Sequence, residues 1–343
     1  GTYEIGMQDQ AFLGLEAAIA FPDPGARGVE LHVATQWLHE DRGQIAACLG
    51  LPDDAIRLVL GGVGGAFGAR EDISLQVHTC LLALRVGRPV RMAYSRSESF
   101  LGHVHRHPAT IWMRHHADRD GRLVKIDARF VFDGGAYAST SSAVLVNAIT
   151  MAQGPYACPN GEINGYAVRT NHLPCGAMRG FGAVQACFAY ESQMDRLAEA
   201  LDIDPVEIRL RNAMHTGDRL LTGQPVLNVA PVEECIRETA ALPMPADDRA
   251  PIDPVDGDVM RLPGGAGRTA DVGDVVRGVG WGVSIKNLMY SEDFDDYSTA
   301  RCTLADGVAT LKFATAEVGQ GFVTIAAQIA RTVLGVDEVV LDR

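Results

Sequence analysis

The sequence predicts a mixed α+β fold, because strand patterns, hairpin turns and a long amphipathic helix occur in one chain. Residues 29–60 follow a strand–helix–strand pattern. Asp120-Gly121 separates two runs of strand-type alternation, which is typical of a β-hairpin turn. Residues 183–201 have the apolar spacing of a long helix with one buried face.

The first half of the chain alternates between strands and helices. Residues 29–36 and 55–62 are rich in β-branched and aliphatic side chains, and the segment 44–50 between them is helical and ends in glycine. A glycine-rich loop, GGVGGAFG at 61–68, follows the second strand. Residues 71–87 then have the length and apolar spacing of a buried helix.

Later segments add a second hairpin and a short helix. Asp306-Gly307 separates two alternating runs at 299–313, again as a hairpin turn does. Asp204-Pro205 precedes VEIRLRNAM, and proline is tolerated in the first turn of a helix.

Composition excludes several classes of protein. The 343 residues are 47% hydrophobic and 21% charged, which permits a substantial core. The net charge of −13 argues against nucleic-acid or membrane-surface binding, and no apolar run reaches the ~20 residues of a membrane helix. A cytoplasmic location is expected, since the seven cysteines are scattered without a CxxC pair and predict neither disulfides nor an iron–sulfur site: Cys48, Cys80, Cys158, Cys175, Cys187, Cys235 and Cys302.

Residues 243–277 are rich in proline, aspartate and glycine, so we interpret them as a linker. This divides the chain into a first subdomain at 1–242 and a second that starts at 278 and continues to 343. Because the chain starts with Gly1 rather than methionine, we expect it to be a piece of a longer protein.

A repeated sequence pattern, the internal repeat, relates these two parts. Residues 33–60 and 313–342 both read as strand, polar loop, alanine-rich helix, Leu-Gly and strand. Any strand–helix–strand unit gives this pattern, but it also fits two related subdomains that face each other across a ligand.

Two glycine-rich turns could bind an anion. GGVGGAFGARED at 61–72 exposes backbone N–H groups before a helix, but Phe67 stands at the third glycine of a GxGxxG register, and the Lys-Ser/Thr of a P-loop is missing. Binding of NAD or ATP is therefore weakly supported. In CGAMRGFGAVQ at 175–185, Arg179 lies beside a glycine turn at a helix start. A purely structural tight turn remains an alternative for both.

Three further features could bind a ligand or metal. In TAEVGQGF, the Gln320 amide can both donate and accept hydrogen bonds. His103, His105 and His107 would share one face of a strand, but no carboxylate follows at a useful spacing and proline interrupts the strand. We therefore predict no metal held directly by protein side chains. His115 and the adjacent histidine are expected to face solvent.

Taken in order, the motifs resemble the molybdenum-binding subunit of the xanthine dehydrogenase/aldehyde oxidase family, the molybdenum hydroxylases. The similar segments are GMQDQAFLGLE, GGVGGAFGARED, the RHP strand, GPYACPN, AMRGFGAVQ with its helix, RGVGWG, DDYSTA and AEVGQG. The similarity is strongest to bacterial xanthine dehydrogenases with separate subunits, and it implies a molybdopterin-binding domain with two related subdomains, the second truncated.

The resemblance implies a molybdenum–molybdopterin cofactor, with or without a cytosine dinucleotide. The metal is held by the pterin dithiolene, and the cofactor-binding residues are Gln8, Gly65, Phe67, Gly68, Arg179 and Gln320.

It also implies roles toward substrate. Glu71 would hydrogen-bond the substrate ring, Arg179 would stabilise developing charge, and Phe181 would stack on the substrate. We therefore expect Glu71 and Arg179 to be catalytic. Asn147 stands where animal xanthine oxidoreductases carry a substrate-binding arginine, which weakens the case for xanthine itself.

Two other departures concern the start of the chain and the general base. The usual Leu-Glu-Pro is Leu13-Gly14-Leu15 here. The family's general base is a glutamate in a Gly-Glu motif, and the only Gly-Glu, Gly161-Glu162, lies in another context. We therefore expect these 343 residues alone to be inactive.

The expected function is hydroxylation of a purine or related N-heterocycle, with water as the oxygen source. Electrons would pass to 2Fe–2S and FAD subunits in a higher oligomer. The alternatives are a hydroxylase of aldehydes or of another N-heterocycle such as nicotinate, and a non-catalytic cofactor or assembly domain.

Overall fold

The computed structural model describes residues 1–23, 25, 28–243, 279–287 and 298–342. Within these ranges the strands are β1 Thr2–Ile5, β2 Ala17–Pro22, β3 Val29–Val33, β4 Ile56–Leu60, β5 Val90–Ala93, β6 Ala109–Ala117, β7 Leu123–Asp133, β8 Gly161–Val168, β9 Ala300–Ala305, β10 Val308–Phe313 and β11 Glu338–Leu341. The α-helices are α1 Leu38–Leu49, α2 Gln76–Val86, α3 Arg96–Gly102, α4 Ser141–Thr150, α5 Ala183–Leu201, α6 Pro205–Asn212, α7 Val232–Ala240 and α8 Phe322–Leu334. The predicted mixed fold is confirmed.

The first sheet is built around the hairpin predicted at Asp120-Gly121. Its strand order is β1-β6-β7-β8, with β7 and β8 parallel and the other pairs antiparallel. Alternate residues of β6 and β7 are buried, as the sequence alternation requires, and they pack under α4 and α5. The long helix predicted at 183–201 coincides with α5.

The second sheet, with order β4-β3-β2-β5, has a separate core under α1 and α2. Strands β3 and β4 are parallel and are joined through α1, which confirms the strand–helix–strand pattern of residues 29–60. Residues 1–242 therefore contain two sheets, and the chain leaves the first sheet after β1 and returns to it at β6. The expected linker at 243–277 lies almost entirely outside the described residues.

A third sheet, β11-β10-β9, repeats the topology of the second. A hairpin joins β9 and β10, and α8 carries the chain to β11, which is parallel to β10. The repeat between 33–60 and 313–342 is thus structural. Each range begins at the end of one strand and leads through a helix to a second strand parallel to the first. Each helix ends at a left-handed glycine, Gly50 or Gly335.

Three local expectations differ from the structure. The helix expected over 71–87 starts only at Gln76, because a 3₁₀ turn and a bend occupy the residues before it. Residues 103–108 form only isolated bridges, to Gln8 on one side and Cys175 on the other, so no continuous ladder forms. His115 is buried, not solvated, and burial lowers its pKa to about 3.

Among the described residues, none of the helices combines the length and apolar character needed to cross a bilayer.

The start of α5 touches α4 without space for a side chain at Gly182. This glycine has φ +92°, and a Cβ there would overlap the Val144 carbonyl oxygen. Gly217 has a similar φ of +98°, but nothing lies within 4 Å of its Cβ position.

We expect Gly182→Ala to destabilise the protein more than Gly217→Ala. Both substitutions place alanine at positive φ, at a cost of about 1–2 kcal/mol, whereas only the first adds steric overlap worth a further ~1–3 kcal/mol. Urea unfolding of the two variants of the full-length protein measures the difference. If both variants lose the same free energy of unfolding, the contact between α4 and α5 can accommodate the added methyl group without cost.

Candidate active site

Two glycine turns, which the sequence separates by more than a hundred residues, pack directly against each other. Gly68 has φ +104°, and a Cβ on it would lie 2.6 Å from the carbonyl oxygen of Ala177. The backbone N–H of Arg179 donates to the carbonyl oxygen of Phe67 at 2.8 Å. We call the turn at 61–68 the first glycine turn and that at 176–182 the second. Only a residue without a side chain permits this approach at Gly68.

Each turn carries a phenylalanine in the left-handed region, at φ +54° for Phe67 and +47° for Phe181. This conformation is rare for bulky residues and costs about 1–3 kcal/mol, so the surrounding contacts must hold it. At Phe181, the buried Asn147 side chain donates from Nδ2 to the Phe181 carbonyl oxygen. The Phe67 ring is 45% exposed. Strained aromatic residues of this kind cluster at ligand-binding sites.

Arg70 holds the first glycine turn in place through hydrogen bonds to backbone carbonyl oxygens. Its buried guanidinium donates to the carbonyl oxygens of Gly65 and Ala34, both at 3.2 Å, and to that of Gly14. The same group lies 4.7 Å from the centre of the Phe12 ring. One buried cation thus connects three segments through their backbone carbonyls, and burial lowers its pKa.

Gly14 also explains the Leu13-Gly14-Leu15 departure. Its N–H donates to the Gly64 carbonyl oxygen at 2.9 Å, and a Cβ on it would lie 2.8 Å from the Gly64 Cα. A glutamate at this position would require the two backbones to separate.

Glu71 follows the first glycine turn as a partly buried carboxyl group. Its Oε1 is 3.5 Å from Nε2 of Gln36, and its Oε2 is buried without a hydrogen-bonding partner among the described residues. Burial, and then the negative charge of Asp72, raise the pKa of Glu71 to about 7. The Asp72 carboxylate in turn accepts a hydrogen bond from the Ser139 hydroxyl at 2.8 Å. A perturbed carboxyl group with one unused oxygen is suited to bind a polar ligand.

Gln8 is linked to the second glycine turn by a buried arginine, Arg106, which sequence analysis did not identify. Arg106 donates from Nε to Gln8 Oε1 at 2.8 Å and from Nη2 to the Arg179 carbonyl oxygen at 2.8 Å. It connects the first residues of the chain to the second glycine turn. The Gln8 side chain remains exposed, so its amide nitrogen can donate to a ligand.

The Arg179 side chain is exposed, and its guanidinium makes neither a hydrogen bond nor an ion pair within the described ranges. Its backbone therefore holds an exposed cation at the tip of the second glycine turn.

Gln320 lies in the loop before α8, where its amide is engaged locally. Its Oε1 accepts from the Val318 N–H at 2.7 Å and its Nε2 donates to the Ala316 carbonyl oxygen at 2.9 Å. The structure does not join Gln320 to the other predicted site residues through a direct hydrogen bond. The neighbouring Gly319 faces the first glycine turn, since a Cβ on it would lie 3.9 Å from the Val63 carbonyl oxygen.

Gln36 is a second residue that sequence analysis missed. Its Oε1 accepts from the Gly68 N–H at 3.0 Å, and its Nε2 faces Glu71. The internal repeat could have identified it, because Gln36 lies just before α1 and Gln320 lies just before α8. No comparable signal marks Arg106, whose partners are 73 and 98 residues away in sequence.

The arrangement fits an anionic, oxygen-rich cofactor such as a molybdenum–pterin group. The N–H groups of Gly65, Ala66 and Phe67 donate no hydrogen bond within the part of the chain that the structure describes. Beside these backbone donors lie the Arg179 cation and the Gln8 amide. Backbone N–H groups, an amide and a guanidinium are the donors that phosphate and metal-bound oxygen atoms accept from.

Comparison with known proteins supports the same cofactor class. Residues 1–213 match the family described as the molybdopterin cofactor-binding domain. Over 337 residues, 97% of the chain, it is 32% identical to a probable xanthine dehydrogenase subunit of Bacillus subtilis. Over 227 residues, 66% of the chain, it is 38% identical to the nicotinate dehydrogenase large molybdopterin subunit of Eubacterium barkeri. The chain spans 42% and 53% of the length of these two relatives.

Solved structures of oxidoreductases are also similar to this chain. Quinoline 2-oxidoreductase from Pseudomonas putida superimposes with a TM-score of 0.76 at 25% identity, over the whole of this chain and 44% of that one. The aldehyde oxidoreductase from Desulfovibrio gigas gives 0.67 at 29% identity, over 70% of this chain and 26% of that one. The chain belongs to the molybdopterin cofactor-binding domain family, the molybdopterin-binding part of the molybdenum hydroxylases.

Proposed function

We propose that the protein containing this chain hydroxylates a purine or a related N-heterocycle, with water as the oxygen source. The observation that carries the proposal is Glu71, a partly buried carboxyl group beside the first glycine turn with a pKa of about 7. Among the described residues, its Oε2 has no hydrogen-bonding partner. A heterocycle offers a ring nitrogen to this group, whereas a simple aldehyde does not.

The cofactor would be held by the first glycine turn, Gln8 and Arg179. When bound, it would supply the oxygen transfer and accept the two electrons. Gly65 and Phe67 would present backbone amides to it, and Gly68 would keep the two glycine turns in contact while its own N–H bonds to Gln36. The exposed Arg179 guanidinium would attract its negative oxygen atoms. Gln320 would contribute from the loop before α8.

Glu71 would act on the substrate. When a carbon next to a ring nitrogen is attacked, negative charge develops on that nitrogen. A protonated Glu71 carboxyl donates a hydrogen bond to it from Oε2 and stabilises the charge most in the transition state. Arg179 would add positive charge on the same side.

The two strained phenylalanines would position a flat substrate. Aromatic rings favour offset stacking on planar heterocycles. Phe181 would stack on the substrate, and Phe67 would approach the cofactor. Asn147, predicted to bind substrate, would act as a positioning residue, because it is buried and donates to the Phe181 carbonyl oxygen.

A second candidate is a hydroxylase of aldehydes or of another heterocycle such as nicotinate. Asn147 favours this candidate, because it is uncharged and stands where animal xanthine oxidoreductases have an arginine that binds the substrate. The similarity to a nicotinate dehydrogenase subunit points the same way. A purely non-catalytic role in cofactor binding or assembly would leave Glu71 and the two phenylalanines without a function.

The remaining functions would reside in partners. Electrons would pass to 2Fe–2S and FAD groups on other subunits of a cytoplasmic complex, because this chain contains no clustered cysteines. Its scattered cysteines are all free in the described residues.

We expect Glu71→Ala to lower kcat/KM for N-heterocycles by about 100-fold or more, because it removes a transition-state hydrogen bond. Turnover of an aldehyde should change by less than about threefold. Steady-state kinetics of the full-length holoenzyme with hypoxanthine, nicotinate and an aldehyde measures both effects. Glu234→Ala, an exposed acid on α7, is the matched control. Equal losses on all three substrates would contradict the assignment of Glu71 to the ring nitrogen.

The pH profile tests the protonation state of Glu71. Its carboxyl group is mostly protonated below its pKa of about 7 and mostly ionised above it, so kcat/KM should fall as the pH rises through about 7. Glu71→Gln keeps a donor at all pH values and should flatten this fall. The substrate must not itself titrate within about two pH units of 7. An unchanged profile in the variant would assign the inflection to another group.

Arg179→Gln should lower kcat by about 10²–10³-fold, because the charge-stabilising cation is lost. Arg179→Lys should recover part of the activity, since the charge remains but the planar fork of donors does not. Arg169→Gln, an exposed arginine elsewhere, is the control. Molybdenum content should be measured in parallel, and full activity of the glutamine variant at normal molybdenum content would exclude this role.

A further inference from the structure

A buried cluster of two histidines and two carboxylates lies immediately behind Gln8 and Arg106. It consists of Asp9, Glu16, His103 and His105. The proposed function does not use this cluster. We propose that Asp9, His103 and His105 bind a divalent transition-metal ion of the Zn²⁺ type, with Glu16 orienting His103.

The distances match a shared metal ion. Asp9 Oδ2 lies 3.1 Å from His103 Nε2 and 3.2 Å from His105 Nε2, and the three ligand atoms lie within 4.8 Å of one another. Zinc binds histidine nitrogen and carboxylate oxygen at about 2.0–2.1 Å, which places tetrahedral ligands about 3.3 Å apart. The three atoms therefore surround a space of the size that the ion requires.

The two imidazole rings are held in place before any ion binds. They are stacked with centroids 5.0 Å apart and an interplanar angle of 11°. The Phe12 ring packs against His103 at 5.1 Å. The Asp9 carboxylate is fixed through its other oxygen, Oδ1, which accepts the Ala11 N–H at 2.6 Å. Its Oδ2 is therefore directed to the histidines alone.

Outer contacts complete the site. Glu16 Oε1 lies 2.9 Å from His103 Nδ1, the nitrogen opposite the proposed ligand atom. A carboxylate on the far nitrogen is the usual partner of a metal-bound histidine, because it fixes the ring and raises its basicity. His105 Nε2 also lies 2.9 Å from the Phe100 carbonyl oxygen. Metal binding would replace that hydrogen bond, and the freed carbonyl oxygen would then lie near the ion.

The cluster is poorly satisfied without a cation. The exposed fractions of the side chains are 2% for His103, 5% for His105, 5% for Glu16 and 18% for Asp9. Both ring nitrogens of His103 and Asp9 Oδ2 have no partner with hydrogen-bonding geometry in the described part of the chain, despite their short separations. Both Glu16 oxygens likewise have no such partner in the described part of the chain, whereas Asp9 is hydrogen-bonded through Oδ1 alone. Buried carboxylate oxygens without hydrogen bonds require a compensating charge. A divalent ion supplies that charge at the point where the ligand atoms converge.

A metal ion at this site would hold in place Gln8 and Arg106, which lie beside the proposed cofactor pocket. Gln8 precedes Asp9, and Arg106 follows His105. The two neighbours also form a backbone bridge to each other, with the Arg106 N–H donating to the Gln8 carbonyl oxygen at 3.0 Å. An ion on Asp9 and His105 would thus fix the two bridged segments that present Gln8.

His107, the third histidine of the same segment, does not take part. Its Nε2 lies 2.8 Å from the Ser141 hydroxyl, and it stacks on Phe132. The three-histidine site considered from the sequence is therefore replaced by two of those histidines and an aspartate from far along the chain.

Elemental analysis of the full-length protein tests the proposal. We expect about one equivalent of zinc, manganese or cobalt per chain, counted apart from molybdenum and from iron, which partner subunits can contribute. His103→Gln and Asp9→Asn should lose this equivalent, and Glu16→Gln should weaken metal affinity by about 10–100-fold. His116→Gln should retain it, because His116 pairs with Asp127 in a half-exposed site away from the cluster.

Two measurements on the unmodified protein remain informative if a variant fails to fold. Chelation should lower the melting temperature, and ZnCl₂ should restore it. CoCl₂ added to the chelated protein should give the visible absorption of Co²⁺ bound to nitrogen and oxygen ligands. No bound metal as purified, together with no response of the melting temperature or spectrum to either salt, would overturn the proposal and leave a proton-sharing network. Activity is not needed for any of these readouts, so the result is independent of the proposed hydroxylase function.

Discussion

The contact between the two glycine turns is the constraint on which the rest of the site depends. Gly68 touches the backbone at Ala177, and the Arg179 N–H bonds to the Phe67 carbonyl oxygen, so each turn determines the position of the other. The first turn follows a strand of the second sheet and the second turn precedes a helix packed on the first sheet. Two separate cores are thereby joined at the point where a cofactor and substrate would meet.

Two buried arginines hold these turns through hydrogen bonds. Arg70 and Arg106 direct their guanidinium groups mainly to backbone carbonyl oxygens of distant segments. A guanidinium carries five donors in a rigid plane, so it can satisfy several carbonyls that no regular sheet or helix uses. These arginines therefore pair backbone carbonyl oxygens of irregular segments, and the Arg179 side chain has no such task among the described residues.

The repeated strand–helix–strand unit shows how one architecture supplies amides at two places. Gln36 and Gln320 both stand before the helix of their unit, yet their surroundings differ. Gln36 joins Gly68 to Glu71, whereas Gln320 is bonded within its own loop. Glutamine at the same place in the repeated unit therefore supports the first glycine turn in one case and holds its own loop in the other.

The sequence by itself determined the elements and the family. Helix α5, both Asp-Gly hairpins and the strand–helix–strand units follow from periodicity and turn residues, which act over a few positions. Ordered motifs identified the cofactor class, and the same motifs predicted Glu71 and Arg179 as site residues. Only the tertiary structure showed that Gln36 faces Glu71 and that Asp9 meets His103, because such pairs lie 35 and 94 positions apart and no local pattern records which segments fold together.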